Sequence, residues 1–146
     1  RIHSAALVAL YVACPFAAHA VGKIFYLFES AYIGSFNFSD FTVNLNGEGS
    51  SANVVSRSVA KDTSHQLFLS RMNGNAPCSG HTECDAIIMD NGKVGAQPEI
   101  TANCVYASLI HEAAIGKIAG DQILKLQTLG LSYEEAEEKI LEGFLR

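Results

Sequence analysis

The chain has no surplus of cations: ten Lys and Arg stand against fifteen Asp and Glu, a formal net charge of −5 at pH 7. A broad nucleic-acid surface needs clustered cations to release the counterions around phosphates, so binding of that kind is not expected. Two catalytic signatures are missing as well. There is no Gly-x-Ser-x-Gly nucleophile elbow and the serines fall in turn-like breaks, which leaves a Ser-His-Asp hydrolase unsupported. There is no Gly-x-x-x-x-Gly-Lys-Ser/Thr phosphate loop, so any nucleotide hydrolysis must belong to a partner. Long apolar runs are lacking too: the stretches Ala5–Val12 and Ile24–Phe28 fall short of the roughly 20 residues a spanning helix needs, which sets aside a permease.

What is present suffices for one buried core. The 146 residues are 49% hydrophobic and 17% charged, too apolar for disorder and long enough for a single compact domain. The first residue is Arg1, which suggests a chain cut or processed at its front. The segment from Arg1 to Ala20 has a basic start, an apolar middle and a small-x-small end at Ala18-His19-Ala20, the layout of a secretory leader. Cys14-Pro15 interrupts that middle, and the apolar stretch at Ile24 continues beyond the supposed cut. Four cysteines, Cys14, Cys78, Cys84 and Cys104, could pair, yet the chain is longer and more apolar than a disulfide-stapled secreted domain.

From Phe36 to about Asn103 the signals are short β-branched or alternating runs, including Phe41–Leu45, Val54–Val59 and Gln66–Leu69. Gly, Asn and Ser breaks at Asn46–Ser51, Asn73–Pro77 and Asp90–Gly92 separate them without intervening helices, which leaves a sandwich, a barrel or a β-solenoid. After Glu112 the period changes to that of helices, broken at Leu129-Gly130-Leu131. Gly130 stands where a helix ends in a left-handed residue, Ser132-Tyr133-Glu134-Glu135 is a capping box, and Ala136, Ile140 and Phe144 form an apolar stripe. The end of the chain is therefore expected to be a helical hairpin.

The densest constellation is Cys78-Ser79-Gly80-His81-Thr82-Glu83-Cys84, with Cys104 and His111 downstream. Thiolates and imidazole suit zinc, iron or an iron–sulfur cluster. If the segment is a strand, however, Cys78, His81 and Cys84 cannot all face one way. His111-Glu112, after the apolar run Val105–Ile110, is likewise a pair that a strand would split between two faces, or simply a strand ending in polar residues. The hairpin is a poor helix-turn-helix, because Glu134, Glu135, Glu137, Glu138 and Glu142 outnumber Lys139 and Arg146 and would repel phosphates. It serves better as a protein-binding surface or as a simple cap.

Several elements then line up in one order: Gly80–Asp85, Pro98-Glu99-Ile100, His111–Ile118, Gly130–Ala136 and Gly143-Phe144, with Gly47-Glu48-Gly49 and Val55-Ser56-Arg57-Ser58 upstream. From about Leu45 to Arg146 this resembles the SufB/SufD family of the SUF iron–sulfur cluster assembly system, in the form of its short archaeal-type members. The resemblance implies a mainly β protein, a right-handed parallel β-helix over residues 1–117 capped by a helical hairpin over residues 118–146. It implies a cytoplasmic scaffold that is not an enzyme and carries a transient iron–sulfur cluster. Its partners would be an ABC-type ATPase subunit and a second SufB/SufD-like subunit in a homo- or heterodimer. Cys84 occupies the family's Cys-Asp position, a cluster or persulfide site, and His111 and Glu112 match its His-Glu pair as further metal ligands. Asp121, Leu124, Glu135, Ile140 and Phe144 would meet the ATPase.

Three departures stand out. Ile110 replaces an acidic residue before His-Glu, Ala119-Gly120 replaces the usual Ser and leaves Asp121 as the expected helix cap, and residues before about Phe36 match poorly. The rival reading is a secreted disulfide-containing β-rich binding domain with an N-terminal leader and a mature start at Val21.

Overall fold

The computed structural model describes the backbone of Lys23–Ala31 and residues 36–145. The leader-like segment and Cys14 lie outside the described residues. Seven strands precede two helices: β1 (Lys23–Ala31), β2 (Phe36–Leu45), β3 (Ser50–Ala60), β4 (His65–Gly74), β5 (Cys78–Ile88), β6 (Lys93–Ala102) and β7 (Ser108–Gly116), then α1 (Gly120–Thr128) and α2 (Tyr133–Phe144). The chain is thus mainly β with two C-terminal helices, and the three expected strand runs lie inside β2, β3 and β4.

Successive strands alternate between two sheets, ordered β1-β3-β5-β7 and β2-β4-β6, and every pairing is parallel. Parallel neighbours need a long crossover, usually a helix. Here each crossover is a strand of the other sheet, so Lys23 lies beside Ala52 and Ser50 beside Cys78, sequence offsets of 29 and 28 residues. Polar corners recur at the same step. The side chains of Asn46, Asn75 and Asn103 stack with hydrogen bonds of 2.6 and 2.7 Å, and Asn73 donates to Asn44 at 2.8 Å. These ladders explain why Asn-rich breaks punctuate the sequence without helices between them.

The inward positions of β4 are Gln66, Phe68, Ser70, Met72 and Gly74, all buried, as the two-residue period of a strand requires. One end of the interior is apolar, with Val43, Leu45, Val54, Met72 and Cys78 packed together and joined by Phe41, Ala52, Ala107 and Leu109. The turn at Asp90-Asn91-Gly92 sits tightly on the end of β3: a Cβ at Gly92 would lie 2.6 Å from the Ala60 carbonyl oxygen. Because that obstacle is backbone, Gly92→Ala is expected to cost about 1–3 kcal/mol, read as a lower urea midpoint at unchanged slope.

The hairpin forms as its end signals dictate. Gly130 has φ +97°, its N–H donates to the Gln127 carbonyl at 3.0 Å and that of Leu131 to Leu126 at 3.4 Å, which closes α1. The Ser132 and Glu135 capping box is complete, with bonds of 2.8 and 3.2 Å. The start of α1 corrects the expected cap. Its N-cap is Ala119, which has no side chain able to accept, and Asp121 instead sits in the first turn, where its charge favours the helix dipole. Ile123 and Ala136 are buried, and α2 reaches the β region through Arg57, which donates to the Phe144 carbonyl at 3.4 Å, and through Lys61, 4.0 Å from Glu137.

Candidate functional site

Strand alternation sorts the dense cysteine segment. Cys78, Gly80, Thr82, Cys84 and Ala86 of β5 face inward and are buried, while Ser79, His81, Glu83 and Asp85 face outward. The motif therefore does not converge, and among the described residues no group of three or more His, Cys, Asp or Glu is placed to hold a metal ion. Register carries the same sorting onto β7. His111 lies beside Thr82 and so points inward, whereas Glu112 lies beside Glu83 and points outward. Of the three expected site residues, Cys84 and His111 share the interior face as diagonal neighbours on adjacent strands, and Glu112 stands on the other face.

The interior around Cys84 differs from the apolar end. Ser56 is its neighbour on β3, and Ser58 on β3 and Thr82 on β5 are buried two residues along these strands. Cys84 is only 5% exposed. Burial pushes its thiol up to about 12, with smaller contributions from the Asp85 and Glu83 carboxylates. His111 is lowered, first by burial and then by His81, so its ring is held neutral. Its Nδ1 is buried and has no hydrogen-bond partner. An unpartnered buried nitrogen is costly, and here it marks a donor left open beside a thiol. A soft thiol and a neutral imidazole are suitable donors for iron, and a coordinating metal would itself remove the thiol proton.

On the outer face, His81 bridges three strands. Its Nδ1 lies 3.1 Å from Asn53 Oδ1 on β3, and its Nε2 lies 3.5 Å from Glu112 Oε2 on β7. Glu83 is raised chiefly because its protonated form donates a hydrogen bond to Asp85. The Asn53-His81-Glu112 row was not visible as a motif because its members are 28 and 31 residues apart in the chain. The recurring offset between paired strands is the signal that would have aligned them.

The five hairpin residues separate in the same way. Asp121, Leu124 and Glu135 are at the surface, and Glu135 spends its carboxylate on the capping box. Ile140 and Phe144 are half-buried with Ala136 on the packed stripe. Leu129 and Tyr133, at the hairpin turn, join Leu124 as exposed large apolar groups.

Comparison with known proteins is decisive at this point. Residues 37–144 match the family model for the SUF system FeS cluster assembly SufBD core domain. The chain belongs to the SufBD family. It is 40% identical over 105 residues to an iron-sulfur cluster assembly SufBD family protein of Methanothermobacter thermautotrophicus, covering 70% of this chain and 26% of that protein. A SufBD family protein of Archaeoglobus fulgidus is 39% identical over 103 residues, 69% of this chain and 28% of its own length. One from Methanocaldococcus jannaschii is 36% identical over 104 residues, 70% and 33% respectively. The chain thus spans between a quarter and a third of these relatives. The match begins at residue 37, some way ahead of Leu45, from where the sequence resemblance was continuous, and it leaves out the residues before Phe36 that match poorly. Cys78, Cys84 and Cys104 are free thiols, which lends nothing to the secreted, disulfide-containing alternative. No helix among the described residues is long and apolar enough to cross a membrane.

Proposed function

We propose that this SufBD chain is part of a cytoplasmic scaffold, not an enzyme, on which an iron–sulfur cluster is held transiently as cargo. The observation that carries the reading is the shared interior face of Cys84 and His111, with His111 Nδ1 unpartnered. The thiol is the soft ligand or sulfane-sulfur acceptor and the neutral imidazole is a second donor. Incomplete thiolate ligation suits a site that must give its cluster up. Glu112, on the opposite face, would act only where the strand edge or a second subunit brings it into play.

The alternating parallel strands are read as successive turns of a right-handed parallel β-helix, with the hairpin as its end domain. An ABC-type ATPase would dock on the exposed hairpin surface at Asp121 and Leu124, with Ile140 and Phe144 holding the surface in shape. A second SufB/SufD-like subunit would join through the β region. ATP hydrolysis in the partner would then loosen the scaffold and uncover Cys84, whose burial otherwise keeps it protonated.

The test is anaerobic reconstitution with ferrous iron and sulfide. The wild-type chain is expected to develop charge-transfer absorption, Cys84→Ala to lose it and His111→Gln to hold it more weakly. Equal spectra for all three would remove Cys84 from the site.

A further inference from the structure

Among the described residues, two cysteines that the cluster site does not use, Cys78 and Cys104, lie at one corner of the fold. We propose that Cys78 and Cys104 form a reversible disulfide that clamps β7 to the winding before it. Cys78 opens β5 and is buried, six residues and so about 20 Å along the strand from Cys84, and the pair is independent of the cluster site. Cys104 is half-buried in the connection between β6 and β7.

Both ends of that connection are tied to the corner where Cys78 sits. The Asn103 N–H donates to the Gly74 carbonyl at 2.8 Å, and its side chain donates to Asn75 at 2.7 Å. At the other end the Ala107 N–H donates to the Cys104 carbonyl at 3.0 Å. A Cβ at Gly74 would lie 2.8 Å from Ala107 Cβ and 3.0 Å from Cys78 Sγ, so those two groups flank one point. Register agrees, because Ser79 pairs with Ser108 and places Cys78 next to Ala107. Cys104 thus accepts a hydrogen bond from Ala107, the residue beside Cys78, and adjoins Asn103, which bonds the Gly74 carbonyl. Burial raises the Cys78 thiol, a backbone hydrogen bond at Ala76 offsets part of that, and Cys104 adds a smaller rise, in keeping with its place at the same corner. The strand spacing of about 4.8 Å sets Ala107 beside Cys78, and Cys104 lies one tight turn before Ala107, so a modest shift of the connection brings its Cα into the range of about 4.4–6.8 Å that a disulfide bridges. Between the anchored ends, Val105 and Tyr106 are 90% and 76% exposed, so no packed side chain resists adjustment of the connection.

The oxidant is a low-molecular-weight disulfide. The more exposed Cys104, as thiolate, attacks one of its sulfurs and expels the first thiolate. Cys78 then loses its proton to solvent and attacks Cys104 Sγ, expelling the second. Two protein thiols become one disulfide while the oxidant is reduced to two thiols. The bond would tether the start of the sheet-edge strand that carries His111 and Glu112.

The test treats the whole chain with oxidised glutathione, traps remaining thiols by alkylation and maps the peptides. Cys78 and Cys104 are expected to lose alkylation together, to appear as one joined peptide pair, and to return with dithiothreitol. Hydrogen exchange across Ser108–Gly116 is expected to slow several-fold in the oxidised form. A stable glutathione adduct on Cys104 with Cys78 still a thiol, or pairing of either with Cys14 or Cys84, would overturn the disulfide. Unchanged exchange in a fully bridged sample would overturn the clamp.

Discussion

Native Cys84 is expected to be alkylated by iodoacetamide about a thousandfold more slowly than the same residue in the urea-unfolded chain at about pH 8, because the reactive species is the thiolate. Burial, helped by Asp85 and Glu83, raises the folded thiol from 9.0 to about 12. The native rate should climb about tenfold per pH unit well past the point where an ordinary cysteine levels off. A native rate that levels off near pH 9 would mean that Cys84 reaches solvent.

The same displacement makes the fold sensitive to alkali. Below the unfolded value of 9.0 both states hold the proton and stability is unaffected; between 9.0 and about 12 the unfolded chain loses it while the folded chain keeps it. Stability therefore falls as pH rises through this window, by about 2 kcal/mol at about pH 10.5. The contribution of Cys84 is the difference between the alkaline shifts of the wild type and Cys84→Ala in urea. If both lose stability in parallel, other groups account for the alkaline loss.

Met72→Ala is expected to lower stability by about 2–5 kcal/mol, the cost of removing a buried side chain whose surroundings collapse only partly. Met72 is 2% exposed in the apolar end of the interior, among Val43, Leu45, Val54 and Cys78, and it fills the space that Gly80 leaves open. Met72→Leu keeps the volume and should cost less than about 1.5 kcal/mol. The pair is read from urea midpoints at constant slope. A loss from Met72→Ala below that of Met72→Leu would mean that this end of the interior is loosely packed.

Local signals were legible where the physics is local. The strand runs of β2, β3 and β4 showed in β-branched and aromatic residues, and the ends of the hairpin showed in Gly130, Ser132 and Glu135, because a left-handed residue and a capping box act within one turn. Asp121 misled for a related reason: a good capping side chain two residues too late cannot reach the first amides, and the backbone began the helix after Ala119.

The amino-acid order was enough to establish a mainly β chain with two terminal helices, the family, and the candidates Cys84, His111 and Glu112. Which candidates meet is a matter of register. Two strands 29 residues apart decide that His111 turns inward with Cys84 and that Glu112 turns outward to His81, because each one-residue step along a strand reverses the face. The alternation of strands between two parallel sheets, the raised Cys84 thiol and the placing of the β6–β7 connection against the corner of Cys78 depend on contacts between residues far apart in the chain, and those arise only when the strands pair.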